Sequence, residues 1–326
     1  MESSPLIVVN TLIKAYSGAR KRALNGISFQ VSEGECFGLI GPNGAGKTTL
    51  MSCLLALVKP DAGTITIGGI NPDDLSVREI IGFMPERPSF EGWLTPIEFL
   101  KMHHMLAHQP AQDASRDIEA VLNRVGLEEH CWNRVIRTFS RGMLQRLGLA
   151  QALIGKPKIL FLDEPGSGMD PPGNVLLRQL FGQFKEEKIT VVLNSHHLDE
   201  MERVCDRVAF IRAGKIEAIE TLEEVARRPY VLFVKWLADE GNDDFGGAQL
   251  SETLKRCAES ANAQFLSQAG LSGKFSVTNS EISAALLKNL IMAGIRVQSA
   301  QPEQTTLERL FEENAAAMPE ESLIQP

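Results

Sequence analysis

The hydrophobic positions of this chain change period along its length. In the opening part, short alternating or apolar runs are separated by turns, the pattern of strands. Leu6 to Ile13 and Ile27 to Val31 predict two strands, with a basic, turn-like segment from Lys14 to Leu24 between them and a Ser32-Glu33-Gly34-Glu35 turn after them. Cys36 to Ile40 and Lys158 to Leu162 are near-continuous apolar runs, as expected of strands covered on both faces. Thr49 to Leu57 has helical character. Thr64 to Ile67, Ile80 to Met84 and Lys188 to Leu193 predict further strands. Val175 to Glu186 and Leu198 to Val204 read as helices, and Arg207 to Arg212 with Lys215 to Ile219 as a hairpin around Ala213-Gly214.

From Arg87 to about Gly155 the period lengthens to that of helices. Thr95 is an N-cap with Pro96 at the first helical position and Glu98 in the third. Further helices are expected over Asp113 to Val125 and Arg141 to Leu153. The simplest account is an α/β core over residues 1–227 that carries a helical subdomain at about 87–155.

Residues 229–300 follow a different order. Tyr230 to Trp236 is a strand, an acidic glycine-rich loop runs from Asp239 to Gly247, and Leu250 to Ala258 is a helix. Strands over Gln264 to Ser267 and Lys274 to Thr278 flank a Gly-Leu-Ser-Gly turn. A helix over Ile282 to Met292 and a strand over Ile295 to Ser299 follow. The order β-α-β-β-α-β predicts a small α+β domain of ferredoxin-like type. Residues 301–326 read as a helix, Thr305 to Glu313, and a mobile polar tail.

Composition narrows the function without naming it. The 326 residues are 44% hydrophobic and 23% charged, as in ordinary globular proteins of two domains. A net charge of -8 argues against a chain built to grip nucleic acid. The five cysteines lack metal-ligand spacing and read as reduced thiols. The chain shows no basic-then-apolar secretory leader, and no run approaches the ~20 apolar residues of a spanning helix. A cytoplasmic location is expected.

The chemistry begins at Gly41-Pro42-Asn43-Gly44-Ala45-Gly46-Lys47-Thr48, which fits G-x-x-x-x-G-K-[ST] between a strand and a helix. Its glycines let backbone N–H groups turn inward to phosphate oxygens, and the following helix adds its positive end. Gly41, Asn43, Gly44, Ala45, Gly46, Lys47, Thr48 and Thr49 are therefore candidate nucleotide-binding residues. Lys47 would reach the β- and γ-phosphates, and the Thr48 hydroxyl would hold Mg2+. The apolar strand ending at Asp163-Glu164 supplies two carboxylates: Asp163 to hold Mg2+ and Glu164 as general base for an attacking water.

With Phe139-Ser140-Arg141-Gly142-Met143 ahead of a helix, these segments resemble the signature set of ATP-binding-cassette (ABC) ATPases over residues 5 to 227. Ser167-Gly168-Met169-Asp170 is similar to the family's D-loop, and Asn194-Ser195-His196 to the strand end bearing its switch histidine. The resemblance implies ATP and Mg2+ as ligands, Tyr16 stacked on adenine, Glu86 in the position of the Q-loop glutamine near the metal, His196 on the γ-phosphate, and Asp170 at the nucleotide. It also implies two cassettes, identical or not, facing head to tail. Ser140, the Gly142 backbone and the helix behind them then form an anion site too far from their own phosphate loop, to be filled by a partner's γ-phosphate.

The chain departs from the family pattern at Arg141, Met143 and Glu86. Arg141 either adds charge near the partner's γ-phosphate or points to solvent. Ser-Lys/Arg-Gly-Met before a Gln-Arg-Leu helix is similar to single-cassette exporter subunits. Phe90, Trp93, Leu94, Phe99 and Met102 are read either as core or as lining a groove for a membrane subunit. His103, His104 and His108 are expected at the surface, as is Glu312-Glu313, and His197 as a neighbour without a role. A transmembrane permease partner follows from one cassette with no spanning segment, which puts the chain at the inner face of the membrane. The alternative, a soluble cassette ATPase of DNA repair or translation, lacks its usual coiled coil, zinc cysteines or second cassette. Dimer contact, regulation and stabilisation all remain open for the C-terminal domain.

Overall fold

The computed structural model describes residues 5–18, 21–237, 247–303, 307, 308 and 310, and it divides into two compact units, Met1–Thr221 and Leu222–Pro326. The first unit runs β1 (Pro5–Lys14), β2 (Leu24–Ser32), β3 (Cys36–Ile40), α1 (Lys47–Leu54), β4 (Ala62–Ile67), α2 (Leu75–Arg78), β5 (Ile81–Met84), α3 (Pro96–Leu106), α4 (Ala114–Arg124) and α5 (Arg141–Leu153). It continues with β6 (Ile159–Asp163), α6 (Pro171–Glu186), β7 (Thr190–Asn194), α7 (Leu198–Val204), β8 (Arg207–Arg212) and β9 (Lys215–Thr221).

Two sheets make the core of this unit. An antiparallel sheet has the order β2-β1-β4, and a six-stranded sheet has the order β5-β6-β7-β3-β8-β9, parallel except for the β8–β9 hairpin. Every residue of β3, β6 and β7 is buried, which is why these strands lack the alternation of β1 and β2. The strand order matters for the site. Because β7 lies between β3 and β6, its C-terminal residue Asn194 pairs with Asp163 on one side and Leu39 on the other. The phosphate-loop strand and the carboxylate strand therefore approach each other only through β7.

Between β5 and β6 the chain forms α3, α4 and α5. Thr95 caps α3 through a reciprocal box in which its hydroxyl accepts from the Glu98 N–H and the Glu98 carboxylate accepts from the Thr95 N–H. Helix α6 starts at Pro171, ahead of the expected Val175, because Asp170 caps it by accepting from Gly173 N–H and prolines take the first helical positions. One surface expectation fails in this region. His104 is 1% exposed, and its Nε2 lies 3.3 Å from Asp117 Oδ2 on α4. His103 is half-buried, its ring 4.5 Å from that of Phe99. Only His108 is at the surface. The buried acid on the neighbouring helix accounts for the difference, since a histidine with such a partner can leave water. Among the apolar candidates, Phe99 is core and packs edge-on to Phe90, whereas Trp93 is 72% exposed.

The second unit runs α8 (Leu222–Val225), β10 (Tyr230–Trp236), α9 (Gly247–Ser260), β11 (Gln264–Ala269), β12 (Ser272–Val277), α10 (Ser280–Met292) and β13 (Val297–Pro302). Its antiparallel sheet has the order β11-β12-β10-β13. Leu232, Val234, Trp236 and Phe275 of the sheet pack with Leu254, Leu286 and Leu290 of the helices into a separate core. The unit begins at Leu222, ahead of residue 229, since β9 runs on to Thr221 and α8 follows at once. Its last strand runs Val297–Pro302, against the expected Ile295 to Ser299, and carries the unit past the expected bound at 300; Gly294, with φ 87°, follows α10. The expected acidic loop at 239–246, most of the expected helix at 305–313, Glu312-Glu313 and the tail lie outside the described residues.

Candidate functional site

The C-terminal edge of the six-stranded sheet opens into a cavity of about 680 Å³. Asn43, Gly44, Ala45, Gly46, Lys47, Thr48, Thr49, Glu86, Asp163, Glu164 and His196 line it, together with Ala23, Ser167 and Asn194. Crevices at this edge are where open α/β sheets bind ligands. Gly41 forms the neck of the loop: a Cβ there would lie 2.1 Å from Ile211 O. Gly46 caps α1 with φ 110°, and a Cβ there would meet Ala23 O at 2.4 Å. A side chain at either position would push the loop out of its wrapped shape.

Lys47 opens α1, and its Nζ donates to Gly41 O at 2.6 Å and Pro42 O at 3.1 Å. Burial lowers its pKa, and the negative charges of Glu164 and Asp163 oppose that shift. Asp163 ends β6 and accepts from Asn194 Nδ2 at 2.6 Å. Burial pushes the Asp163 carboxyl up; the Asn194 bond works against this, while Glu164 and Glu86 reinforce it. The Asn194 Oδ1 atom is buried without a hydrogen-bond partner among the described residues.

Glu164 has a left-handed backbone, φ 50°, which is uncommon outside glycine and recurs at functional sites. Neighbours fix it there. Its N–H donates to Asn194 O at 2.8 Å, and its carbonyl accepts from Ser167 N–H at 3.0 Å and from Gln145 Nε2 at 3.4 Å. The buried carboxylate has Oε2 2.8 Å from His196 Nδ1 and accepts from Ser195 Oγ at 3.4 Å. Glu164 thus lines the same cavity as Lys47 and Thr48 of the phosphate loop.

The remaining candidates do not join this cavity. Ser140, Gly142 and Asp170 line a second cavity of about 540 Å³ with Arg141, Met143 and Arg146. Ser140 caps α5 by accepting from Met143 N–H at 3.3 Å. Tyr16 lies on the turn after β1, 46% exposed, with Lys14 Nζ 5.8 Å from its ring centre, and lines neither cavity. Asn194, Ser195 and Ser167 are site residues that pattern reasoning did not select. Asn194 and Ser195 sit in the motif that carries His196, so adjacency was the signal available.

A phosphate loop, a strand-end carboxylate pair and a helical insertion around a largely parallel sheet define a nucleotide-binding cassette of the P-loop class. Comparison with known proteins carries this to a family. The family model described as ABC transporter matches residues 24–167. The ABC transporter ATP-binding protein YcbN of Bacillus subtilis (strain 168) is 33% identical over 312 residues, 94% of this chain and 95% of its own length. Relatives in Nostoc sp. and Synechocystis sp. are each 40% identical over 204 residues, and the chain spans 61% and 58% of their lengths. Among solved structures, the dimeric post-hydrolysis cassette MJ0796 bound to ADP and Pi has a TM-score of 0.62 at 25% identity, covering 66% of this chain and 98% of that one. The chain belongs to the ABC transporter ATP-binding proteins.

Proposed function

We propose that this chain binds and hydrolyses ATP to drive transport, most readily export, through a separate membrane permease. The observation that carries the reading is the convergence of Lys47, Thr48, Asp163, Glu164 and His196 on one cavity at the phosphate loop. Relatives named for linearmycin resistance (Bacillus subtilis, 36% identical) and lantibiotic transport (Streptococcus pyogenes, 35% identical) support export. No helix among the described residues is long and apolar enough to cross a membrane.

In this reading the loop N–H groups of Gly44, Gly46 and Lys47, with the ammonium of Lys47, hold the β- and γ-phosphates, Gly41 shapes the neck, and Asn43, Ala45 and Thr49 complete the wall. Glu164 accepts the proton of the attacking water, and His196, held by Glu164, contacts the γ-phosphate. Tyr16 meets the adenine. The donor set also fits Mg2+, since Thr48, Asp163 and Glu86 offer the hard oxygen ligands that ion takes. When bound, Mg2+ neutralises charge on the phosphates. Ser140, Gly142 and Asp170 face a second cassette, this chain or a sister, whose ATP fills the cavity they line.

Turnover by the purified chain tests the reading. Glu164→Gln should keep ATP binding while hydrolysis falls by ~10²–10⁴. Near-normal turnover in that variant would remove Glu164 from the role of base.

A further inference from the structure

Beside the phosphate loop, the proposed base and the histidine bound to it have a neighbour that nucleotide hydrolysis leaves unused, His197. Glu164, His196 and His197 each offer one ligand atom, and these atoms lie within 4.8 Å of one another. The group is already assembled in part. His196 Nδ1 is 2.8 Å from Glu164 Oε2, and the His196 and His197 rings have centroids 4.0 Å apart, tilted by 38°. The backbone under the pair is held as well, because His197 N–H donates to Ser195 Oγ at 3.1 Å while that hydroxyl donates to Glu164. Both rings are exposed, whereas the carboxylate is buried.

Two imidazoles and one carboxylate are a set that Mg2+ does not seek. Hard cations prefer oxygen, whereas imidazole nitrogen suits Zn2+ and its neighbours in the first transition series. Three protein ligands with an open fourth position also match a tetrahedral zinc site that keeps a water. We propose that Glu164, His196 and His197 bind one Zn2+ ion, and that this ion withdraws the Glu164 oxygen from the water-activating role. His197 then has a function distinct from that of His196. The binding claim stands on the ligand geometry alone; its effect on turnover rests on the reading of Glu164 as base.

A test follows that separates the two. The full-length chain, stripped of metal, is titrated with Zn2+ against a chromophoric zinc chelator in the absence of nucleotide. One equivalent should bind to the wild type, and His197→Ala should lose about tenfold or more in affinity. Without zinc, His197→Ala should hydrolyse ATP at the wild-type rate, which also certifies its fold; His197→Gln serves if the alanine variant is unstable. Added zinc should lower the wild-type kcat with little change in KM for ATP and leave His197→Ala nearly unaffected. Failure of the wild type to bind zinc, or an equal affinity in His197→Ala, would overturn the site. A chain that binds zinc as expected but never hydrolyses ATP would overturn the enzymatic reading and leave the metal site standing.

Discussion

Arg141 Nη2 donates to Ser167 Oγ at 2.7 Å, joining the first turn of α5 to the loop that follows Glu164. The contact is shaped as well as charged. The stem of Arg141 lies across Gly168, where a Cβ would come 2.4 Å from Arg141 Cδ. Arg141 is exposed, bound within its own chain, and lines the second cavity beside Ser140 and Gly142. Gln145, one turn further along α5, reaches Glu164 O, and Arg146 lies 3.8 Å from Asp170. One face of α5 thus grips the segment from the proposed base to the proposed partner-facing aspartate.

The first prediction concerns that grip. Arg141→Ala removes a single charge-assisted bond at an exposed position, so a loss of about 1 kcal/mol is expected. Because the bond acts on turnover only through the position of Ser167, kcat should fall by at most roughly fivefold. KM for ATP should stay unchanged, and Arg141→Lys should recover part of the rate. An equal fall in kcat for alanine and lysine, with no change in thermal midpoint, would mean that Ser167 is not the relevant partner.

Acid should weaken metal-dependent binding through Asp163. Its folded pKa is raised, chiefly by burial, so the folded chain holds this proton to higher pH than the unfolded chain does. Stability from this group therefore falls as pH rises from the unfolded carboxylate value through the folded one. Divalent cation binding has the opposite sign, since it needs the ionised form. Thermal stabilisation by ATP, about 2.7 kcal/mol at a hundredfold excess over Kd, should depend on Mg2+ above that window and lose the dependence below it. Asp163→Asn should lose it at every pH without lowering the midpoint of the ligand-free chain. A midpoint several degrees lower would show that the charge stabilises the fold.

A third prediction uses the buried acid of the helical insertion. Burial alone would raise the pKa of Asp117, but Lys156 at 2.6 Å, Arg116 and His104 outweigh it and hold the carboxyl below its usual range. Stability from the depressed group is present above the ordinary carboxylate pKa and lost as pH falls through the folded value. Asp117→Ala leaves buried His104 without its acceptor and should cost ~2 kcal/mol in a urea melt. Lys156→Ala removes a cation that is 55% exposed in its side chain and should cost under ~1 kcal/mol. The reverse order would make the ion pair, and not the satisfaction of His104, the source of stability.

The sequence made the local chemistry readable and the cross-chain chemistry opaque. Gly41–Thr48 and Asp163-Glu164 are contiguous, and each follows a strand whose apolar run is unmistakable, so loop and carboxylates could be placed without coordinates. Asn194 could not, because its bond to Asp163 exists only when β7 lies beside β6. The burial of His104 is illegible for the same reason: Asp117 lies on the next helix, and its nearness depends on how α3 packs against α4. The first turn of α6 is hidden because its Pro-Pro-Gly run resembles a loop, and only the Asp170 cap marks it as helix. The Arg141–Ser167 bond joins residues far apart in sequence, and neither has a local pattern that points to the other.

The most direct test of the account asks whether ATP holds two cassettes together. Sedimentation velocity of the full-length Glu164→Gln chain should give a monomer without nucleotide and a dimer with ATP and Mg2+. Gly46→Ala, introduced into the same background, should remain monomeric under both conditions. A Glu164→Gln chain that binds ATP yet sediments as a monomer throughout would contradict the proposal that ATP joins two copies of this cassette.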